Sequence, residues 1–315
     1  MNVGAFLFPG VGSQHVGMGK ELYDNFKIVR DTFEEACDAL NQNLVKMCFD
    51  DDGKTELQKL EHSQTALLTL STAISRLYTG EIGPPPKYCL GHSLGEYSAL
   101  CCAGVIEFTH VLSIVKQRGE ILNRIAAGMD GIMAWVINLD NKIVEGITAE
   151  SLREGEEIYV SAYDAPKQSS ISGPKDIVLK VGKKLEKEGA IVYPLKLSGS
   201  FHSPFMKDAA VKLRVILEQY EYRQPRYPVI ANYNALPYEN KEDVVNHLSL
   251  QLINPIRWQA SIEYLLENKI ESAVELGPDK VLKHLMRNNT DSIQTFSLGN
   301  MNDLTVLKEK IKTSV

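Results

Sequence analysis

The stretch Tyr88-Cys89-Leu90-Gly91-His92-Ser93-Leu94-Gly95-Glu96 passes from a short apolar run, through a serine flanked by glycines, into a helical pattern. Pro84-Pro85-Pro86 breaks the chain just before it. Tyr88-Cys89-Leu90 reads as a strand and Glu96 to Cys102 as a helix. Gly-x-Ser-x-Gly between a strand and a helix is the pattern of a sharp turn that lifts a serine hydroxyl above a sheet edge. A side chain at either glycine would collide with neighbouring backbone. Ser93 then stands at a helix N-terminus. There the amide of Leu94 can face a developing oxyanion, and the helix dipole favours negative charge. The alternative is a plain glycine-rich turn with a capping serine.

Outward from this turn, strands and helices alternate. Val3–Phe8 is an apolar run ended by Pro9-Gly10, a buried strand entering a glycine-rich loop. Helical spacing covers about Leu22–Leu40, Ser63–Tyr78 and Phe108–Ile125. From Gly131 to Ser198 the rhythm changes. Strand Gly131–Leu139, helix Lys142–Arg153, strands Glu157–Asp164 and Ser169–Ser172, helix Lys175–Lys187 and strand Ala190–Leu197 follow in turn. The order βαββαβ is that of a ferredoxin-like unit. It reads as a small domain, residues 129–198, inserted into a large α/β domain with a parallel sheet, residues 1–128 and 199–315. After it come a helix at Lys207–Tyr220, a strand at Val229–Tyr233, helices at Val244–Ile253 and Trp258–Lys269, a strand at Ser272–Leu276, and a last helix from about Lys280.

Bulk composition excludes several classes. The 315 residues are 44% hydrophobic and 23% charged, ordinary for a soluble globular protein. A net charge of −6 argues against nucleic-acid binding. Five cysteines, an odd number with no CxxC pair, argue against a disulfide framework or a zinc site. They fit small apolar residues in a reducing cytosol. Met1-Asn2-Val3-Gly4 lacks the basic start of a signal peptide, and no run approaches the ~18 apolar residues of a membrane helix. The chain is therefore expected to be cytoplasmic, free of membrane and nucleic acid, and monomeric.

A serine hydroxyl needs a base. His92 adjoins Ser93, but neighbours on a tight turn point apart, so packing or lining the pocket suits it better. His110, His247 and His284 fall among charged residues in helical patterns, where a solvated face suffices. His202 sits in Ser198-Gly199-Ser200-Phe201-His202-Ser203-Pro204, a loop after a strand. Loops fixed by a rigid scaffold are where catalytic groups concentrate. A turn histidine bonded to local hydroxyls is the other reading. Asp164 lies between serine and histidine in the hydrolase order of a triad, although Asp before Ala165-Pro166 also suits a turn. Arg118 falls on the apolar stripe Val111, Val115, Leu122, Ile125. A guanidinium there must meet an anion. It could pair with a structural carboxylate such as Glu96, or wait for a ligand carboxylate.

Taken together, these residues resemble the malonyl-CoA:acyl carrier protein transacylase family, which includes free-standing acyltransferases of polyketide assembly lines. The motifs run in the family's order over nearly the whole chain: Phe8-Pro9-Gly10-Val11-Gly12-Ser13-Gln14 with Gly17-Met18-Gly19, then Gly91-His92-Ser93-Leu94-Gly95-Glu96-Tyr97-Ser98-Ala99, then Gln117-Arg118-Gly119 and Phe201-His202-Ser203, then Gln251-Leu252-Ile253-Asn254-Pro255-Ile256-Arg257-Trp258 and Glu275-Leu276-Gly277-Pro278. The resemblance implies an α/β-hydrolase-like large domain with the ferredoxin-like insert, and malonyl transfer from coenzyme A to the phosphopantetheine thiol of an acyl carrier protein. It implies Ser93 as nucleophile, His202 as base, and the Gln251 main-chain carbonyl as the imidazole's orienting partner. The amides of Leu94 and Val11 would form the oxyanion hole. Arg118 would clamp the malonyl carboxylate, with His92 and Phe201 lining the acyl site. A bulky ring at Phe201 would crowd a 2-methyl branch, worth about 1–3 kcal/mol. No metal or cofactor is implied.

The chain departs from the family at Gly10-Val11-Gly12, where a glutamine is usual, and at Ala162-Tyr163-Asp164, where asparagines are usual in place of Ala162 and Asp164. These departures leave open a sister activity, hydrolysis of acyl chains stalled on carrier proteins. A non-catalytic docking module is a third reading, opposed by the presence of both Ser93 and His202. An acidic carrier needs a local basic surface, and Lys180, Lys183, Lys184 and Lys187 offer one helix face, unless that face is merely solvated.

Overall fold

The computed structural model describes residues 3–312. Among the described residues nine strands form two sheets. They are β1 (Ala5–Phe8), β2 (Tyr88–Gly91), β3 (Gly131–Ile137), β4 (Tyr159–Ala165), β5 (Gln168–Pro174), β6 (Ile191–Ser198), β7 (Val229–Ile230), β8 (Ser272–Leu276) and β9 (Gln294–Leu298). The first sheet is parallel, in the order β7-β2-β1-β8-β9. Apolar runs suit such a sheet because helices cover both of its faces. Phe6 and Phe8 point into one helical layer, with Leu67, Leu68 and Leu70. Ala5 and Leu7 point into the other, with Trp258, Ile262 and Leu265. The chain winds outward from β1 through β2 to β7 on one side and from β8 to β9 on the other, so the crevice beyond the carboxyl ends of β1 and β8 is where an open α/β sheet places a ligand.

The second sheet is antiparallel, in the order β4-β5-β3-β6. Helices Asn141–Arg153 and Lys175–Lys187 cover one of its faces, closing a core of Ala134, Val136, Val144, Ile171, Val178, Val181 and Leu185. This is the ferredoxin-like arrangement expected from the βαββαβ order. Backbone bonds tie it to the rest of the chain: the Tyr163 amide donates to the Ile256 carbonyl at 2.8 Å, and the Ile256 amide to Ser161 at 3.0 Å.

The structure differs from the sequence reading in four places, two of them with a local cause. The helix expected over Leu22–Leu40 is two helices, Lys20–Asn25 and Lys27–Leu40. Phe26 between them is extended (φ −122°, ψ 123°), while the apolar spacing runs on across the break and conceals it. The strand expected to reach Tyr233 ends at Ile230, because the Ala231 amide turns to the Leu236 carbonyl and the Asn232 amide to Glu96. The helix near Lys280 (Val281–Asn289) is not the last element; β9 and a helix at Met301–Lys312 follow it. Helix Leu44–Phe49 was also not anticipated.

The serine turn is held by close backbone contact. A Cβ on Gly91 would lie 2.0 Å from the Gly95 carbonyl carbon, and one on Gly95 would lie 1.9 Å from the Phe8 oxygen. Gly10 is equally constrained, since its Cβ would lie 2.6 Å from the His92 oxygen. The loop after β1 and the turn after β2 therefore touch backbone to backbone. Gly95→Ala should cost at least the ~1–3 kcal/mol typical of overpacking and remove activity. Gly80→Ala, where a Cβ meets nothing within 4 Å, is the control and should be nearly neutral. Urea unfolding of both variants measures the difference, and equal midpoints would contradict the close packing.

Candidate active site

Ser93 takes φ 53° and His202 φ 55°; among the described residues only six non-glycine residues have positive φ. Such backbone costs energy and persists where surrounding structure enforces it. For Ser93 the enforcement comes from Asn232. Its Oδ1 accepts from the Ser93 amide at 2.8 Å, and its Nδ2 donates to the Gly91 carbonyl at 2.6 Å. For His202 it comes from the loop 199–203. The Gly199 amide donates to Gly131 at 2.7 Å, Ser200 Oγ to Gly173 at 2.9 Å, and Ser203 Oγ to Ser200 at 2.6 Å. The loop hydroxyls of Ser200 and Ser203 thus bond backbone carbonyls, not the imidazole.

The two side chains meet. Ser93 Oγ lies 2.9 Å from His202 Nε2, and His202 Nδ1 lies 2.8 Å from the Gln251 carbonyl oxygen. A carbonyl can only accept, so Nδ1 carries the proton and Nε2 presents its lone pair to the serine hydroxyl. His202 is 6% exposed. Burial pulls its pKa down from the ordinary 6.5 to about 3, against the raising effect of the Gln251 carbonyl; Arg118 and His92 lower it further. The ring is therefore neutral and able to accept a proton at neutral pH.

Asp164 does not serve His202. It is buried, and its Oδ1 lies 2.9 Å from His92 Nε2, with Ser170 Oγ 3.4 Å from its other oxygen. The hydrolase order of a triad fails here because the Gln251 carbonyl already occupies His202 Nδ1. His92 turns its Nε2 to Asp164 and lines the cavity. His110 and His247 are half-buried and lie near tyrosine rings, Tyr220 for the first and Tyr233 and Tyr238 for the second; a solvated face describes neither.

Gln251 also works through its side chain. Its Nε2 donates to the Ser93 carbonyl at 2.9 Å and to Glu96 Oε2 at 2.6 Å. Glu96 is fully buried and accepts from the Asn232 amide and the Tyr238 hydroxyl as well. Burial raises its pKa to about 7, opposed by those three donors and by Arg118. Asn232, Tyr238 and Gln64 were not singled out from sequence. Asn232 had one signal, a polar residue at the carboxyl end of a predicted parallel strand.

Arg118 is 3% exposed and lines the same cavity of about 490 Å³. Gly119 lets its helix approach helix Leu60–Leu77, since a Cβ there would lie 2.3 Å from Glu61 Cα. Arg118 Nη1 donates to Gln64 Oε1 at 2.7 Å and Nη2 to Gln251 Oε1 at 3.4 Å; Nε has no partner. Its guanidinium carbon stands 5.3 Å from the Tyr97 ring centre. Glu96 is spent on its three donors, and among the described residues Arg118 forms no ion pair. Arg118 is thus a buried cation with no carboxylate in ion-pair contact, beside a serine–histidine pair.

Val11, Phe201, Leu60, Leu122, Met133 and Leu252 complete the inner wall. Phe201 is buried against Gly199, where a Cβ would lie 2.6 Å from the ring. Among the described residues neither the Val11 nor the Leu94 amide reaches a protein acceptor, so both remain available to an oxyanion. The lysine face of helix Lys175–Lys187 is partly neutralised: Lys180 pairs with Glu156, and Lys184 with Glu154 at 3.2 Å and Glu156 at 3.4 Å. Lys183 and Lys187 are exposed, as on a solvated face.

Residues 5–312 match the model of the acyl transferase domain family. The chain is similar to a Bacillus subtilis protein named malonyl CoA-acyl carrier protein transacylase, 38% identical over 309 residues, covering 98% of this chain and 77% of that one. A protein of the same name from Escherichia coli strain K12 is 36% identical over 296 residues, 94% of this chain and 95% of its own. Among solved structures, FabD from Acinetobacter baumannii superimposes with a TM-score of 0.94 at 31% identity, covering 100% of this chain and 99% of that one. A malonyl-transacylase solved in complex with a type II PKS acyl-carrier protein superimposes with a TM-score of 0.93 at 34% identity, covering 98% of this chain and all of that one.

The neutral imidazole has a consequence for pH. A base with a pKa far below 6.5 is already deprotonated in mildly acidic solution, so kcat/KM for the acyl donor should show no acid limb near 6.5. Folding gives the opposite face of the same shift. The unfolded histidine takes up a proton below about 6.5 and the folded one does not, so this group's contribution to stability falls with pH between about 6.5 and 3. A pH–rate profile of Ser93 acylation measures the first effect, and a half-maximal rate near pH 6.5 would contradict it.

Proposed function

The chain belongs to the acyl transferase domain family, and from that premise we propose that it moves a malonyl group from coenzyme A to the phosphopantetheine thiol of an acyl carrier protein. The observation that carries this reading is Arg118, a buried guanidinium with no carboxylate in ion-pair contact, opening on the cavity that holds Ser93 and His202. A malonyl group brings the carboxylate that such a cation lacks.

Ser93 Oγ attacks the thioester carbonyl while its proton passes to His202 Nε2. Negative charge develops on the carbonyl oxygen, towards which the amides of Leu94 and Val11 donate. Collapse of the tetrahedral species breaks the C–S bond, and the imidazolium returns its proton to the departing coenzyme A sulfur. In the second half, His202 takes the proton of the carrier-protein thiol, whose sulfur attacks the serine ester; the proton then returns to Ser93 Oγ. The Gln251 carbonyl keeps the imidazole in one tautomer throughout. Phe201 and His92 wall the acyl site. The same proposal assigns residues 1–128 and 199–315 to the large domain and 129–198 to the small one. It also includes a cytoplasmic setting, in keeping with five free cysteine thiols. Among the described residues no helix is long and apolar enough to cross a membrane.

Incubation with malonyl-CoA and acetyl-CoA, followed by intact-mass measurement, tests the reading. A stable malonyl adduct on Ser93 is expected. Rapid release of free acids without an adduct would mark a hydrolase instead. In Arg118→Ala the preference for malonyl over acetyl should fall roughly 100-fold, the worth of a charge-assisted pair. An unchanged preference would refute the clamp.

A further inference from the structure

The main-chain ladder between β2 and β7 is short. Cys89 stands opposite Val229 and Leu90 opposite Ile230, and among the described residues the register stops there. One step further, the Gly91 carbonyl and the Ser93 amide still need partners, because backbone groups are rarely left unpaired inside a protein. In a parallel ladder one residue of the neighbouring strand serves such a pair, donating to one residue and accepting from the residue two further on. Here the Asn232 side chain does so instead. Its Nδ2 donates to the Gly91 carbonyl at 2.6 Å, and its Oδ1 accepts from the Ser93 amide at 2.8 Å. The carboxamide stands in for the missing peptide group. Asn232 is itself held from both sides. Its amide donates to Glu96 Oε1 at 3.2 Å, and its carbonyl accepts from the Arg257 amide at 3.0 Å. Gln251 Nε2 lies 3.4 Å from its Oδ1. The residue is 1% exposed and stands behind the serine turn, not on the cavity wall.

We infer that Asn232 is a positioning residue for acylation: its carboxamide grips the peptide groups on either side of His92, keeping Ser93 at φ 53° with its hydroxyl at His202. The inference rests on the malonyl-transfer reading, in which Ser93 carries the acyl group. A serine released from this backbone moves its Oγ out of line with Nε2, and a misplacement of about 1 Å costs on the order of 100-fold in rate. The two ends of the bridge have distinct chemistry. It takes a donor towards Gly91 and an acceptor towards Ser93. A protonated aspartic acid of the same shape supplies both. An ionised aspartate supplies only the acceptor and sets its second oxygen against the Gly91 carbonyl. Glu96, with Tyr238 bonded to the same carboxylate, lies against Asn232. A second carboxyl placed there holds its proton above the usual carboxylate range, through burial and like charge.

Asn232→Ala and Asn232→Asp test this, each compared with wild type in the rate of Ser93 acylation by malonyl-CoA between about pH 5.5 and 8. In Asn232→Ala the rate constant should fall about 10- to 100-fold, while the half-saturating malonyl-CoA concentration stays within about twofold, because the residue touches no substrate. The Asn232→Asp rate, as a ratio to wild type, should climb about fivefold or more from the alkaline to the acid end, as the carboxyl takes up the proton that it donates to Gly91. The alanine ratio should stay level. Both variants lose buried bonds, so a merely structural role predicts two weakened proteins with one pH profile. An alanine variant that is acylated at the wild-type rate overturns the inference, as does a loss confined to malonyl-CoA affinity. An aspartate ratio that stays level or falls on acidification also overturns it, and decides alone if the alanine variant does not fold. Wild type that malonyl-CoA fails to acylate refutes the transfer reading instead, whatever the variants do.

Discussion

One backbone carbonyl, that of Gln251, sets the state of the His202 imidazole, the proposed base. Because it can only accept, it fixes the proton on His202 Nδ1 and leaves Nε2 open to Ser93. It brings no charge. A carboxylate in that position would stand near Arg118 and compete for the guanidinium proposed to hold the substrate carboxylate. Orientation by a neutral dipole keeps the cation available. It also leaves His202 buried without a counter-ion, which is why its pKa falls so far.

The scaffold around this contact follows from it. The Gln251 side chain bonds the Ser93 carbonyl and Glu96, while its main chain holds His202, so one residue fixes both partners of the proposed proton transfer. Glu96 lies inside the helix that follows the serine and gathers donors from Asn232, Tyr238 and Gln251. Buried charge is costly unless it is bonded on all sides, and Glu96 meets that condition within the protein. Arg118 does not, and its unpartnered Nε faces the same interior. The proposed malonyl carboxylate would relieve that imbalance.

Much of this was legible in the sequence. The parallel sheet and the βαββαβ insert appeared as a change of rhythm, because strand and helix periods differ and glycines punctuate them. Gly91, Gly95 and Gly10 sit where a Cβ would strike backbone, so the glycine pattern reported true close contacts. Arg118 stood out as a charge on an apolar stripe. What stayed hidden was three-dimensional. Chemistry alone left the partner of His202 Nδ1 open, since a main-chain carbonyl has no side-chain signature; only the family resemblance named it. Asp164 had the right chain order for a triad but reaches His92 instead. Asn232 and Tyr238 act through contacts more than 130 residues away in sequence, 139 for Ser93 and 142 for Glu96. The break at Phe26 preserved helical spacing on both sides and so left no trace.

Nitrogen-15 NMR of the His202 ring tests this account most directly, since the two ring nitrogens report protonation separately. The expected spectrum shows a neutral ring from pH 5 to 8, protonated at Nδ1 and bare at Nε2, with the hydroxyl of Ser93 as its neighbour. An imidazolium forming near pH 6.5, or the opposite tautomer, would contradict it.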